Sequence, residues 1–173
     1  MTIRIREASP DEHDEAGRVT AGAYAEFARP GDTEWEEYLA RIADVPGRAD
    51  RTTILVAVEG GTIVGSATLE LDARVEEPED PPLDPHEAHI RMLGVDLSVR
   101  GRGVGALLMA TCERVAIENG KTLMTLHTTH RMTAARRMYE RLGYERRADR
   151  VFPDGFVLLS YAKRLGPTEP DRT

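Results

Sequence analysis

The sequence lacks the features that crosslink a chain or anchor it in a membrane. It has one cysteine, Cys112, in 173 residues, so no intramolecular disulfide can form. A reducing, cytoplasmic location is therefore expected. No stretch approaches the roughly 20 apolar residues of a membrane helix, and the first dozen residues lack the apolar centre of a signal peptide. No membrane partner is therefore predicted. The histidines are scattered without the spacing of ligand pairs, so no metal is predicted either.

Positive charge is also in deficit. The chain has 23 Lys and Arg against 30 Asp and Glu, a formal net charge of −7, which argues against generic nucleic-acid binding. A negative surface instead leaves room for a cationic substrate. The balance of 40% hydrophobic and 31% charged residues is ordinary for a globular domain. The length predicts one domain over residues 1–165, followed by a disordered tail at 166–173.

Apolar periodicity and turn residues predict the order strand, two helices, three strands, helix, strand, helix, two strands. The acidic, proline-rich stretch 72–87 is predicted to be an exposed loop. Strands with helices on both faces indicate a layered α/β or α+β domain. The predicted strands are 2–7, 52–58, 62–71, 88–95, 121–128, 144–152 and 156–163, and the predicted helices are 10–28, 33–43, 103–118 and 133–142.

The segment after the fourth predicted strand has the composition of a phosphate-binding turn. Glycines at 101, 103 and 105 allow backbone N–H groups to converge, because no Cβ stands in the way. The start of the following helix adds free N–H donors and a positive dipole. Arg100 and Arg102 add full positive charge. The alternative reading of the glycines is a tight turn with close packing of helix against strand.

Spacing excludes two common phosphate-binding loops. A mononucleotide P-loop needs a lysine and a serine or threonine after its second glycine, and none follows here. A dinucleotide-binding turn needs Gly-x-Gly-x-x-Gly, whereas an alanine and two leucines follow Gly103 and Gly105, and the turn lies in the middle of the chain. The pattern that fits is Arg-x-x-Gly-x-Gly, formed by Arg100, Gly103 and Gly105.

With this motif the chain resembles the GNAT superfamily of N-acetyltransferases, in which Arg-x-x-Gly-x-Gly wraps the pyrophosphate of coenzyme A. The preceding strand, 89–95, is similar to the family's fourth strand, whose backbone pairs with the pantetheine arm and usually bulges. The segment 132–144 is similar to the family's closing helix, because Ala135 and Tyr139 are followed by Leu-Gly-Tyr. The order of elements matches over about residues 2–163.

The resemblance implies a GNAT-type acyl-CoA N-acyltransferase fold of the α/β (α+β) class. Such a fold has a central mixed, mostly antiparallel sheet of about seven strands, flanked by about four helices. Acetyl-CoA is the implied cosubstrate, and no metal is implied. Relatives often form dimers, so a homodimer is compatible with the resemblance. The cofactor-binding residues that it implies are Leu93, Gly94, Val95, Arg100, Gly101, Arg102, Gly103, Val104, Gly105, Ala106, Met132 and Ala135.

The resemblance also implies roles in catalysis. Tyr139 occupies the position of the tyrosine that protonates the leaving thiolate, and a backbone N–H in 93–95 would bind the developing oxyanion. His89 stands where members with a side-chain base often have a glutamate. Glu87, on the same face of a regular strand, and a water molecule are the alternatives. His127 and His130, near the end of the fifth strand, are interpreted as structural.

The predicted function is transfer of the acetyl group of acetyl-CoA to a primary amine of a small molecule or peptide, by direct attack in a ternary complex. A catalytically inactive acyl-CoA-binding regulatory module and an acyltransferase for larger acyl groups are the alternatives. The acceptor would lie between the first two helices and the last hairpin. Tyr24, Phe27, Trp35 and Tyr38 could line that site, although their near-helical spacing is also typical of core residues.

Overall fold

Eight strands form the sheet at the centre of the computed structural model, which describes residues 2–72 and 81–166. The strand order is β1-β2-β3-β4-β5-β8-β6, and β7 also pairs with β8. Every pair is antiparallel except β4 with β5, which are parallel. The strands are β1 (Ile3–Glu7), β2 (Thr53–Glu59), β3 (Thr62–Glu70), β4 (Glu87–Val95), β5 (Leu123–Thr128), β6 (Glu145–Arg146), β7 (Arg150–Val151) and β8 (Val157–Arg164).

Four α-helices flank this sheet, which confirms the predicted fold class. They are α1 (His13–Tyr24), α2 (Thr33–Ala43), α3 (Val104–Glu118) and α4 (Thr133–Arg141). Capping interactions between residues close in sequence explain why these helices could be predicted from the sequence. The carboxylate of Asp32 accepts the backbone N–H of Trp35 at 3.0 Å and so starts α2. The Glu12 carboxylate binds the backbone N–H of Ser9 ahead of α1.

The two faces of the sheet differ in polarity. The face that packs against α3 is apolar, with a core that includes Leu69, Ile90, Met124 and Leu159. Opposite, α1 and the segment after α2 cover the apolar part of β2 and β3. Beyond that cover, the side chains of β3, β4, β5 and β8 become polar. The polar residues of this second face are Thr68, Glu70, Glu87, His89, Arg91, Thr125, His127 and Ser160.

The last predicted hairpin needs a correction. A continuous strand was expected over 144–152, but the structure divides it into β6 and β7. Arg146 lies opposite Tyr161 and Arg150 opposite Leu158, so this strand takes four steps where β8 takes three. One extra residue is therefore accommodated between them, as in a β-bulge. The sheet consequently has eight strands rather than seven.

Several predictions concern a loop and a terminal segment that lie partly outside the described residues. Residues 73–80, most of the predicted acidic loop, lie outside the described part of the chain, as does the predicted tail after Gly166. Glu87, predicted to end that loop, is instead the first residue of β4. The longest described helix, α3, has 15 residues, and none within 2–72 and 81–166 could cross a membrane.

We expect Gly17→Ala to destabilise the fold, because Gly17 is the closest approach between α1 and α2. A Cβ there would lie 2.0 Å from the backbone oxygen of Ala43, so the helices would have to separate. The free energy of unfolding should fall by about 3 kcal/mol. Gly22, in the same helix, has nothing within 4 Å of its Cβ position. Gly22→Ala should therefore raise stability by about 0.5–1 kcal/mol in denaturant titrations. Equal effects of the two variants would contradict this packing.

Candidate active site

The parallel strands β4 and β5 part from each other halfway along the sheet. They are paired from Glu87 opposite Leu123 to Ile90 opposite Leu126, yet β4 continues to Val95 and β5 to Thr128. Within the described residues, the pairing of β4 with β5 ends at Ile90, so the last part of β4 faces an opening. Backbone N–H and C=O groups need hydrogen-bond partners. This opening can therefore receive an extended ligand as an added strand.

A bulge in β4 lies at the point of separation. On β3, Ser66 pairs with Gly94 and Thr68 with Arg91, so two residues of β4, Met92 and Leu93, face one residue of β3. Met92 has φ = +55°, the one positive φ at a non-glycine among the described residues. A non-glycine residue in this conformation is strained, and the bulge changes the direction in which neighbouring backbone N–H groups point. The bulge was expected within 93–95 and begins one residue earlier.

The glycine turn leads from β4 to the start of α3. Gly101 and Gly103 have φ of +77° and +80°, and neither Cβ position has an atom within 4 Å. Backbone conformation, not crowding, therefore requires glycine at both positions. Gly103 is the N-cap of α3 and brings no side-chain acceptor to the first turn of the helix. The free N–H groups of that turn are donors for an anion.

Close packing, the alternative explanation for the glycines, accounts for glycine at two other positions, 105 and 94. A Cβ on Gly105 would lie 3.0 Å from the sulfur of Met138 on α4. A Cβ on Gly94 would lie 3.0 Å from the Cα of Thr20 on α1. These glycines let α4 and α1 approach the strand and turn that surround the opening.

The two arginines predicted to bind phosphate lie in ion pairs with carboxylates. The Nη1 of Arg100 is 2.7 Å from Glu26, in the short 3-10 turn that follows α1, and its Nη2 donates to the backbone oxygen of Ala23. The Nη1 of Arg102 donates to Glu59 of β2 at 3.0 Å. Hydrogen bonding to Arg102 lowers the pKa of the Glu59 carboxyl. Ion pairs this exposed are weak, so either guanidinium can exchange its carboxylate for a phosphate.

The remaining predicted cofactor contacts lie on the starts of two helices. Val104 and Ala106 belong to the first turn of α3, where Val104 is buried in the core. Met132 is the N-cap of α4, and its sulfur accepts the hydroxyl of Thr128 at 3.4 Å. Ala135, one turn later, packs on the main core. The structure thus gives each of these residues a place on α3 or α4.

Tyr139 is buried on α4, with 7% of its surface exposed. Its ring contacts those of Tyr144 and Tyr161, with centroids 6.1 and 6.0 Å away. Among the described residues its hydroxyl has no hydrogen-bond partner, although Tyr144 binds Glu113 and Tyr161 binds Glu140. Burial raises the pKa of Tyr139, and nearby Cys112 raises it further. The hydroxyl is therefore held protonated and is able to donate.

The aromatic residues of α1 and α2 form a wall near this tyrosine. Tyr38 contacts Tyr24 at 6.3 Å and Trp35 at 5.2 Å between ring centroids. Burial raises the pKa of Tyr24, and the next contributions come from Tyr38 and Tyr139, while Arg91 acts in the opposite direction. Tyr24 therefore lies near Tyr139 and Arg91. The wall lies on the side of the opening where the acceptor was expected.

His89 is held by a hydrogen-bonded group on β4 and β5. It is 2% exposed, and its Nδ1 lies 2.7 Å from the hydroxyl oxygen of Thr125. The same hydroxyl donates to the carboxylate of Glu87 at 2.5 Å. The structure therefore brings together the two residues predicted as alternative bases and joins them through Thr125. Thr125 was missed, although the polar alternation of β5 could have indicated it.

A cavity of about 320 Å³ opens beside this group. Glu87, Thr125, His127 and Ser160 form its polar wall. His127, which follows the last β5 residue paired with β4, was interpreted as structural; its Nδ1 binds the Ser160 hydroxyl at 3.0 Å, and its ring is 5.0 Å from that of His89. A residue so placed can contact a bound molecule. Pro81, Pro82, Leu126, Arg147, Ala148, Arg150 and Tyr161 complete the lining.

Sequence reasoning also missed a buried charged pair behind the cavity. Glu70 of β3 has no exposed surface and binds Nε of Arg91 at 3.0 Å. Arg48 donates to Thr68 and to the backbone oxygens that end α2. Burial lowers the pKa of Arg48 to about 10. In residues 2–72 and 81–166, no cluster of three potential metal ligands occurs.

The model of the acetyltransferase (GNAT) family matches residues 18–144 of the sequence. The chain belongs to this family. A curated relative, a mycothiol acetyltransferase of Sanguibacter keddieii, is 30% identical over 145 residues, which are 83% of this chain and 44% of the relative. A second, from Thermobispora bispora, is 28% identical over 83% of this chain and 47% of its own. This GNAT chain thus spans less than half the length of these relatives.

Solved structures agree with this GNAT fold. The acetyltransferase yncA of Salmonella typhimurium, solved with acetyl-CoA, has a TM-score of 0.69 at 20% identity, with both chains fully covered. The PaiA N-acetyltransferase of Thermoplasma acidophilum, solved with coenzyme A, has a TM-score of 0.72 at 14% identity, covering 95% of this chain and 99% of the other. At such identities the likeness shows the fold alone.

Proposed function

We propose that this acetyltransferase moves the acetyl group of acetyl-CoA to a primary amine by direct attack in a ternary complex. The observation that carries the proposal is the opening between β4 and β5 beyond Ile90 and Leu126, which has the glycine turn at one end. In this proposal Tyr139 of α4 lies next to the thioester sulfur. An extended thioester can lie along β4 in this opening. The carbonyl would then be next to the bulge at Met92 and Leu93.

The residues present fit acetyl-CoA, which supplies an acetyl group activated as a thioester. Backbone N–H groups near Gly101, Gly103 and the first turn of α3 would hold the pyrophosphate, since that turn lacks a side-chain cap. Arg100 and Arg102, whose side chains are 40% and 45% exposed, would add charge by leaving their carboxylate partners. The backbone of β4 at 93–95 would pair with the pantetheine arm, and Met132 and Ala135 would border it on α4.

Three functions are needed at the reacting end, and this chain has a group for each. His89 would take the proton of the acceptor amine, with Glu87 or a water molecule as the alternative base. A backbone N–H at the β4 bulge would stabilise the negative charge that develops on the carbonyl oxygen. Tyr139 would donate its hydroxyl proton to the departing sulfur, because burial keeps that hydroxyl protonated.

The acceptor would approach from the cavity beside β5. Its lining offers the carboxylate of Glu87 together with hydroxyl and imidazole groups to an amine, and Arg147 and Arg150 also border it. The net charge of −7 attracts cations to the surface. The curated relatives are named mycothiol acetyltransferases, so the acceptor of such enzymes belongs in any panel of candidate amines.

The test is release of free thiol from acetyl-CoA in the presence of polyamines, aminoglycosides, amino acids, peptides and the acceptor of mycothiol acetyltransferases. We expect turnover with at least one amine and a product heavier by one acetyl group. A parallel panel of longer acyl-CoA thioesters decides whether a larger acyl group is preferred. Tight binding of coenzyme A without turnover on any amine would favour the second candidate, a regulatory module that binds acyl-CoA. The observation that favours the enzyme is the buried Tyr139, whose hydroxyl has no hydrogen-bond partner within residues 2–72 and 81–166.

A further inference from the structure

Three side chains form a continuous hydrogen-bonded chain between β4 and β5. The parallel register puts His89 opposite Thr125. Glu87 lies two residues earlier on β4 and so shares the face of His89. A single hydroxyl, that of Thr125, bridges the carboxylate of Glu87 at 2.5 Å and Nδ1 of His89 at 2.7 Å. The link therefore follows from strand geometry and does not depend on a flexible loop.

Counting protons assigns the direction of each bond. A threonine hydroxyl has one proton, and a carboxylate can only accept, so Thr125 donates to Glu87. The Thr125 oxygen must then accept from His89, which requires a proton on Nδ1. A neutral imidazole with a proton on Nδ1 has its basic lone pair on Nε2. With Glu87 as a carboxylate, these two hydrogen bonds assign the proton of a neutral His89 ring to Nδ1.

We propose that Thr125 is a positioning residue that fixes the Nδ1-protonated tautomer of His89 and links its ring to the negative charge of Glu87. This inference rests on the proposed function, in which His89 takes the proton of the acceptor amine. The amine's N–H bond breaks, its electron pair stays on nitrogen and attacks the thioester carbonyl, and the proton passes to Nε2. The resulting imidazolium keeps its Nδ1–H on Thr125, and the carboxylate of Glu87 offsets its positive charge.

Other charged groups face His89 from the neighbouring strands and remain in place in the test variants. Glu70 is its register partner on β3, and Arg91, two residues later on β4, is paired with Glu70. The ring of His127 on β5 lies 5.0 Å from that of His89, tilted by 53°. Glu70 and Arg91 carry opposite charges and are paired with each other. A change at Glu87 or Thr125 therefore leaves their effect on His89 in place and alters only the effect of Glu87.

The first test is Thr125→Val, which removes the hydroxyl and keeps a β-branched side chain suited to a strand. We expect kcat/KM for the acceptor amine to fall about 10- to 100-fold, the range that loss of a residue orienting a functional imidazole produces. The Kd of coenzyme A should stay within twofold. The acid limb of the pH profile of kcat/KM should move to lower pH, because the imidazolium loses its link to a negative charge.

Two variants separate positioning from a packing effect. Thr125→Ser restores the hydroxyl and should recover kcat/KM to within about threefold of the wild-type value. Glu87→Gln keeps an oxygen acceptor but removes the charge, so it should shift the acid limb to lower pH with the tautomer unchanged. Thr53→Val is the matched control, a strand threonine on β2 away from the cavity, and should leave kcat/KM and its pH profile unchanged.

The tautomer can be read without any substrate. In ¹⁵N-labelled protein, the two-bond ¹H–¹⁵N correlations of His89 should show the neutral ring with its proton on Nδ1, and Thr125→Val should lose this signature. A proton on Nε2 in the wild type, or an unchanged kcat/KM and acid limb in Thr125→Val, would overturn the inference while amine acetylation stands. If no amine is acetylated but the tautomer depends on Thr125, the proposed function fails and the positioning of His89 is supported.

Discussion

Replacement of Gly103 by glutamate is expected to abolish coenzyme A binding, with a Kd at least about 100-fold higher by calorimetry. Gly103 is the N-cap of α3 and has φ = +80°. The new side chain would put a negative charge beside the free N–H groups that would otherwise bind the pyrophosphate. Repulsion at this point removes the strongest polar contacts of the ligand, and each 1.4 kcal/mol lost corresponds to about tenfold in affinity.

Gly120→Glu provides a closely matched control for this variant. Gly120 follows the other end of the same helix, has φ = +76°, and also has nothing within 4 Å of its Cβ position. Both variants should lose about 1–2 kcal/mol of stability, because an L-residue is strained at positive φ. Only Gly103→Glu should change coenzyme A affinity. Unchanged affinity in Gly103→Glu would refute the placement of the pyrophosphate at the glycine turn.

Tyr139→Phe should lower kcat about 100-fold and leave the Kd of coenzyme A within twofold. The ring packing with Tyr144 and Tyr161 is retained in phenylalanine, and the lost hydroxyl has no partner among the described residues. The folded protein therefore loses no internal hydrogen bond, so the expected deficit is catalytic. Proton donation by a positioned side chain typically contributes 10²- to 10⁴-fold in rate.

The control for this prediction is Tyr144→Phe, which also alters a buried tyrosine of the same aromatic cluster. Its hydroxyl binds Glu113, so the variant should lose about 1–2 kcal/mol of stability but keep kcat within twofold. Because burial raises the pKa of Tyr139, its hydroxyl should stay protonated throughout the accessible pH range. An alkaline limb below about pH 10 that disappears in Tyr139→Phe would contradict the raised pKa of this hydroxyl, whereas a wild-type kcat in Tyr139→Phe would contradict its role as proton donor.

The elements of the fold were predictable because their signals are local. The caps of α1 and α2 lie within a few residues of the helices that they start, and α2 begins and ends at the predicted residues. The break between β6 and β7 was not predictable, since nothing in residues 144–152 marks it. It follows from how the strand fits against β8, which is a property of two distant segments.

The candidate site likewise has features that local sequence predicts and features that depend on distant segments. The turn at Gly101 and Gly103 is a short motif, so the sequence indicates it directly. The bridge through Thr125 depends on the register of two parallel strands that are separated by α3, and no spacing within either strand reveals it. The pairing of Arg100 with Glu26 is equally non-local. Residues that act through partners far along the chain therefore need the structure, whereas residues that act through backbone shape do not.

The short pairing between β4 and β5 has a consequence for the stability of the domain. Strands β1 to β4 are joined to one another by long antiparallel ladders, and β5 is joined in the same way to β8. Between these halves the sheet is closed by only four residues on each strand. A ligand bound along β4 in this opening would add backbone hydrogen bonds next to the shortest ladder between the two halves. Binding of the cosubstrate should therefore raise the free energy of unfolding of the domain, by an amount that grows with the cosubstrate concentration.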